Sequence, residues 1–145
     1  MKKQFLKRAV TLVFTILCTT ALILGVSVAR DGMYLPGVPA IGQVTQAEVT
    51  CPALTDEVKV ISDAEQIELA VKLTGFLRYV PFRQAETPSD NAITLTYRLA
   101  DGSVVWVCAD ETSVLWRGNA HALKDTGTFV KMAQALFFFG EIAEA

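Results

Sequence analysis

The first strong pattern along the chain is a run of 21 uncharged residues, from Ala9 to Ala29. A helix rises 1.5 Å per residue, so the run spans about 31 Å, which matches the roughly 30 Å hydrocarbon core of a bilayer. Four cations lie in residues 1–8, and such charges stay in the cytoplasm. The pattern predicts a single-pass transmembrane helix over residues 9–29 in the cell membrane, with its N-terminus cytoplasmic and the C-terminal domain outside.

The same run also fits a cleavable signal peptide, because Ser27-Val28-Ala29 has the small-x-small pattern of a cleavage site. Signal peptides carry an apolar stretch of about 7–15 residues, and the longer run here favours an uncleaved anchor. Both alternatives export the rest of the chain. The second would release a secreted protein after cleavage at Ala29.

Beyond the apolar run, residues 30–42 are rich in Gly and Pro and predict an irregular linker. The folded extracytoplasmic domain is expected over residues 43–145, and it begins with short strands over 43–51 and 58–61. A capping box at Ser62–Glu65 precedes apolar residues at helical spacing from Ile67 onward. These signals predict a helix from Asp63 to Tyr79, stopped by Pro81.

Alternating residues on either side of Asp101-Gly102 predict a β-hairpin with a two-residue turn. That turn sets Leu99 opposite Val104 and Tyr97 opposite Trp106. One face is then expected in the core, with Ile93, Leu95, Tyr97, Leu99, Val104, Trp106 and Cys108. The other face is the candidate surface for another envelope protein, with Arg98 as polar anchor. Its residues are Thr94, Thr96, Arg98, Val105 and Val107.

A second hairpin is predicted around Gly118-Asn119, with Trp116 opposite His121 and Val114 opposite Leu123. Apolar residues at helical spacing then predict a last helix over residues 128–141. Strands and helices do not alternate as they do in parallel sheets. The order therefore predicts an α+β fold: a transmembrane helix, then an antiparallel sheet with two helices packed on one face.

Composition and charge narrow the class of protein. The chain is 52% apolar, which excludes a disordered tail protein. Residues 30–145 carry nine basic and fifteen acidic groups. A net-acidic domain argues against nucleic acid as a partner, because phosphate binding needs a basic surface.

The three cysteines differ in context. Cys18 lies in the apolar run, where it is expected to act as a small apolar residue. Cys51 and Cys108 both belong to the exported domain, where a disulfide between them is permitted. Two buried free thiols are the alternative. Two cysteines and one histidine at wide spacing do not match a structural zinc site, so no metal or cofactor is expected.

No sequence pattern indicates catalysis. Cys108 with His121 is the one Cys/His pair close in sequence, but the predicted strand register places Cys108 in the core, where thiols are inert. Acid pairs such as Asp110-Glu111 lie at strand ends, where solubilising acids are common. A non-catalytic interaction or accessory module at the cell envelope is therefore expected. There are two alternatives. One is a secreted inhibitor or immunity-type protein, and the other is an envelope enzyme that uses Cys108 or scattered acids.

Several segments together resemble a family of small exported proteins of Gram-positive bacteria, classed as a domain of unknown function. The likeness covers roughly residues 35–139. It lies in Leu35-Pro36 after the anchor, VKVISDAEQIELAVKLTGFL, ITLTYRLADGSVVWV, and GNAHALKD before a Phe-rich end. The resemblance implies an anchored extracytoplasmic domain and supplies no catalytic residues.

Overall fold

A computed structural model describes residues 1–125 and 127–139 of the chain. A long apolar helix is followed by an eight-stranded antiparallel sheet and two shorter helices, which confirms the α+β prediction. The first part of the chain comprises α1 Lys2–Asp31, β1 Met33–Tyr34, β2 Val44–Thr50, β3 Val58–Ile61 and α2 Ala64–Gly75. The second part comprises β4 Arg78–Val80, β5 Ile93–Leu99, β6 Val104–Ala109, β7 Ser113–Trp116, β8 Asn119–Leu123 and α3 Thr128–Gln134. Across the sheet the strand order is β1-β4-β8-β7-β6-β5-β2-β3.

Helix α2 begins at Ala64, one residue after the predicted start, and its N-cap is Asp63 rather than Ser62. The Asp63 carboxylate accepts a hydrogen bond from the Gln66 N–H at 3.2 Å, which satisfies one of the free donors of the first turn. The helix ends at Gly75 rather than at Tyr79, because residues 78–80 pair with β8 as strand β4. The apolar spacing of α2 continues into that strand, so the sequence pattern alone does not mark the boundary.

Both α2 and α3 lie on one face of the sheet, as predicted. Their inward side chains join one core with the strands, including Ile67 and Leu73 from α2 and Phe129 from α3. At the centre, the buried Tyr97 hydroxyl of β5 donates to the Ala70 carbonyl oxygen at 2.7 Å and lies 2.5 Å from the Thr74 hydroxyl. Burial raises the pKa of Tyr97 well above its ordinary value, so this group stays protonated and ties α2 to the sheet.

Helix α3 continues from Gln134 into a wider π-helical turn, Ala135–Phe139. The Phe137 carbonyl oxygen accepts a hydrogen bond of 2.5 Å from the Lys59 ammonium of β3, at the far edge of the sheet. The last helix was predicted to reach residue 141, and residues 140–141 lie outside the described part of the chain.

The register of the first hairpin differs from the prediction by one residue. Arg98 lies opposite Val104 and Tyr97 opposite Val105, because Ala100–Gly102 forms a three-residue loop. Gly102 has φ +86, the left-handed conformation that closes such loops. A slip of one residue moves every side chain of the second strand to the other face. The predicted core positions Val104, Trp106 and Cys108 therefore leave the core face, and Val105, Val107 and Ala109 replace them.

The second hairpin turns one residue earlier than predicted, at Arg117-Gly118. Both residues have positive φ, +49 and +80, as a two-residue type I′ turn requires. Trp116 pairs with Asn119, and Val114 pairs with His121. The shift in pairing is two residues, so every side chain keeps its predicted face.

The segment over residues 30–42, which was predicted to be an irregular linker, packs against the sheet. Met33 and Tyr34 pair with β4 as an edge strand, and Leu35 is buried. The Pro36 carbonyl oxygen accepts a hydrogen bond of 2.9 Å from the Trp116 indole N–H. Gly and Pro keep the segment irregular, but apolar burial and backbone pairing hold it against the sheet.

Candidate functional site

The face of the sheet opposite α2 and α3 is the surface most accessible to a partner. Residues paired directly across antiparallel strands point to the same side. The registers of β3, β2, β5 and β6 therefore align Val60, Glu48, Thr96 and Trp106 in one row. Arg98 and Val104 form a neighbouring pair. We call this surface the open face, and its central residues are Val60, Thr94, Thr96, Arg98, Val104 and Trp106.

Trp106 is the largest apolar side chain on the open face and is 42% exposed. Val60, at the end of the row, and Val104, in the neighbouring pair, are both more than half exposed. The Arg98 guanidinium donates a hydrogen bond of 3.3 Å to the Glu48 carboxylate, so its charge is held beside this apolar group. A tryptophan and an arginine at the centre of a sheet face are residue types that dominate protein–protein binding energy.

Three of the five residues predicted for the partner surface lie on the open face: Thr94, Thr96 and Arg98. The other two do not. Val107 is fully buried and Val105 packs against the core, because Gly102 closes a longer loop than a two-residue turn. Sequence reasoning missed Val104 and Trp106 for the same reason. Asp101-Gly102 fits both registers, because a two-residue turn and a three-residue loop each need a left-handed conformation at Gly102.

The disulfide that the sequence permits between Cys51 and Cys108 is not formed in the structure. Both thiols are free. Cys51 follows Val49 on the core face and is buried, whereas Cys108 lies opposite Thr94 on the other face. The sheet itself separates the two sulfur atoms, and bridging would require their Cβ atoms to lie about 4 Å apart.

Cys108 and His121, the candidate nucleophile and base, also lie on different faces. Cys108 pairs with Leu115, while His121 pairs with the buried Val114. The imidazole packs on the Tyr79 ring with the ring centroids 4.4 Å apart. The structure therefore does not bring this pair together as a nucleophile and its base.

Asp110 and Glu68 both have structural partners. Asp110 receives hydrogen bonds from the backbone N–H groups of Thr112, Ser113 and Ser89 at 2.8, 2.8 and 3.0 Å. Burial raises the pKa of Asp110, but these donors outweigh it and hold the pKa below its ordinary value. The carboxylate thus fixes the β6–β7 loop. The Glu68 carboxylate forms a helical i,i+4 ion pair with Lys72.

A polar cleft of about 340 Å³ lies beside Asp110, where three loops meet α3. Its lining residues are Ala53, Ser89, Asn91, Asp110, Glu111, Thr112, Val130 and Gln134. Both carboxylate oxygens of Asp110 accept hydrogen bonds from backbone N–H groups of the domain. Asp110 is therefore not a free base for a ligand in this cleft. Within residues 1–125 and 127–139, no cluster of three His, Cys, Asp or Glu side chains could hold a metal ion.

Helix α1 is long and apolar enough to cross a membrane, by its length and composition. It joins the folded domain through Gly32 alone, and β1 begins at the next residue. A Cβ atom at Gly32 would lie 2.9 Å from the Tyr79 carbonyl oxygen, so only glycine permits this close approach.

Comparison with known proteins identifies no relative of this chain. No protein-family model matches the chain, and neither a curated protein nor a solved structure matches it significantly. The resemblance to small exported proteins of Gram-positive bacteria therefore stays a prediction.

Proposed function

We propose that this chain is a membrane-anchored, extracytoplasmic binding module without catalytic activity, and that its open face binds another envelope protein. Helix α1 holds the domain in the bilayer, with Lys2, Lys3, Lys7 and Arg8 on the cytoplasmic side. The helix runs unbroken through Ala29 to Asp31, which supports an anchor over cleavage at Ala29.

The observation that carries the binding role is the exposed Trp106 on an unpartnered sheet face. Burying an indole against a partner removes a large apolar surface from water, at about 25 cal/mol per Å². Arg98 lies two residues from Thr96, the cross-strand partner of Trp106, and can add a charged hydrogen bond to the same contact. The domain's net negative charge favours a protein over nucleic acid as this partner.

The test is co-purification of membrane proteins with the full-length chain after cross-linking in intact cells. The variant Trp106→Ser with Arg98→Ser removes both central groups and leaves the core untouched. Its matched control, Leu69→Ser with Lys72→Ser, removes an apolar residue and a cation from α2, on the opposite side of the sheet. The exposed fraction of Leu69, 43%, is similar to that of Trp106, 42%.

We expect the open-face variant to lose its cross-linked partner and the α2 control to keep it. Circular dichroism should show that both variants fold. Equal recovery of the partner with both variants would contradict binding through the open face.

A further inference from the structure

Phe82 is the most unusual residue of the folded domain. It follows Pro81 directly after β4, and its side chain is fully exposed, at 105% of the reference value. Its backbone has φ +64, in the left-handed region that bulky residues rarely adopt. Packing does not offset this backbone strain, because a fully exposed ring gains no burial in the domain.

Strained backbone that packing does not explain is typical of functional positions. Glycine or asparagine would satisfy the same turn with less strain. A phenylalanine here therefore indicates that the ring is used outside the folded domain.

The fold places Phe82 close to the end of α1. Strand β4 pairs with β1, and Met33 lies opposite Tyr79. Gly32 touches the Tyr79 backbone. Phe82 follows Tyr79 by three positions, with two residues between them, so their Cα atoms are at most about 11 Å apart. The ring can thus reach the headgroup layer, which extends roughly 5–7 Å beyond the hydrocarbon core on each side.

Charge around this point differs from the rest of the domain. Lys124 donates its backbone N–H to the Arg78 carbonyl oxygen, and its Cβ would lie 3.4 Å from a Cβ at Gly32. Four of the nine cations of residues 30–145 belong to this region: Arg30, Arg78, Arg83 and Lys124. Two acids lie beside these cations: Asp31 is 3.9 Å from the Arg30 guanidinium, and Asp125 is paired with Arg78. Cations at an interfacial contact add electrostatic attraction to anionic lipids.

We propose that Phe82 inserts into the bilayer interface beside α1, with Arg83 contacting the headgroups. The inference rests on the proposed membrane anchor and adds a second contact, which fixes the orientation of the domain on the membrane. Interfacial amphipathic helices bury Trp, Phe and Leu side chains at this depth of the bilayer.

The test uses the full-length chain in phosphatidylcholine–phosphatidylglycerol vesicles whose lipids carry bromine near the headgroups. Phe82→Trp reports the position of this side chain, because bromine quenches tryptophan emission on contact. The matched control is Leu54→Trp, at a 43% exposed loop position after β2, with four strands between β2 and β4. Emission of the parent chain, from Trp106 and Trp116, is subtracted.

We expect loss of the added emission for Phe82→Trp and unchanged added emission for Leu54→Trp. Flotation of the vesicles shows first that α1 holds the chain. A chain that floats but keeps the full Phe82→Trp emission would overturn the second contact and leave the anchor intact. A chain that does not float would overturn the anchor, and this inference with it.

Discussion

The two tryptophans of the chain have opposite surroundings, although both lie on strands of the same sheet. Trp116 is 2% exposed, and its indole N–H donates to the Pro36 carbonyl oxygen. Trp106 is exposed on the open face. At the scale of single residues, the buried Trp116 contributes to stability, and we propose the exposed Trp106 for partner binding.

Replacing these two residues separates the two roles. Trp116→Ala should lower the free energy of unfolding by about 3–5 kcal/mol, because it leaves a large cavity. Trp106→Ala should lower it by less than about 1 kcal/mol, as exposed positions do. Urea unfolding of the full chain in detergent measures both. An equally large loss for Trp106→Ala would mean that the first hairpin has the two-residue register.

Phe82 is expected to work against stability. Phe82→Gly removes no packing and relieves a left-handed backbone conformation, so the free energy of unfolding should stay constant or rise by about 1 kcal/mol. The same unfolding experiment measures it. A loss of more than about 1 kcal/mol would show that the ring packs within the domain.

Asp110 predicts a dependence of stability on pH. Its pKa in the folded domain is below the ordinary value, so its contribution is fully present above that ordinary value, near pH 4. The contribution is lost as the pH falls through the folded pKa. Asp110→Asn should therefore have a lower free energy of unfolding than the parent at pH 7. Between pH 4 and pH 2, the free energy of unfolding should fall less for Asp110→Asn than for the parent. Identical pH profiles for the two chains would contradict this role of the carboxylate.

At the scale of elements, the sequence predicted both hairpins, α2 and the start of α3, because alternation, helical spacing and a capping box are local signals. It missed β4, since Arg78–Val80 continues the apolar spacing of α2. It missed β1 because a two-residue edge strand has no periodicity of its own. The register of the first hairpin depended on whether two or three residues form the loop, which alternation does not encode.

The left-handed backbone conformation of Gly102 in the first hairpin is directly testable. Gly102→Ala should lower the free energy of unfolding by about 1–2 kcal/mol, because alanine is strained at φ +86. Gly75→Ala is the matched control at the end of α2, with ordinary φ and open space around it. It should be neutral or stabilise by up to about 1 kcal/mol. Equal effects of the two changes would contradict the left-handed conformation of Gly102.

At the scale of the whole molecule, one sheet divides the domain into a face covered by helices and an open face. Thr94, Thr96 and Arg98 of the candidate surface were predictable from alternation, which holds within a single strand. Val105, Val107 and the Cys51–Cys108 pair required the relation between strands, where a slip of one residue exchanges the faces. The close junction of α1 with β4 depends on Gly32 and lay beyond any local pattern.

The most direct test of the account is the membrane topology of the full chain, measured with a membrane-impermeant maleimide on intact cells. Leu54→Cys places a thiol on an exposed loop of the domain, and Lys3→Cys places one before the apolar run. The parent chain, with Cys51 buried and Cys108 half-buried, gives the background. We predict labelling of Leu54→Cys in intact cells and of Lys3→Cys only after lysis. The reverse pattern, or mature chain beginning at Arg30 in the medium, would contradict a membrane-anchored domain outside the cytoplasm.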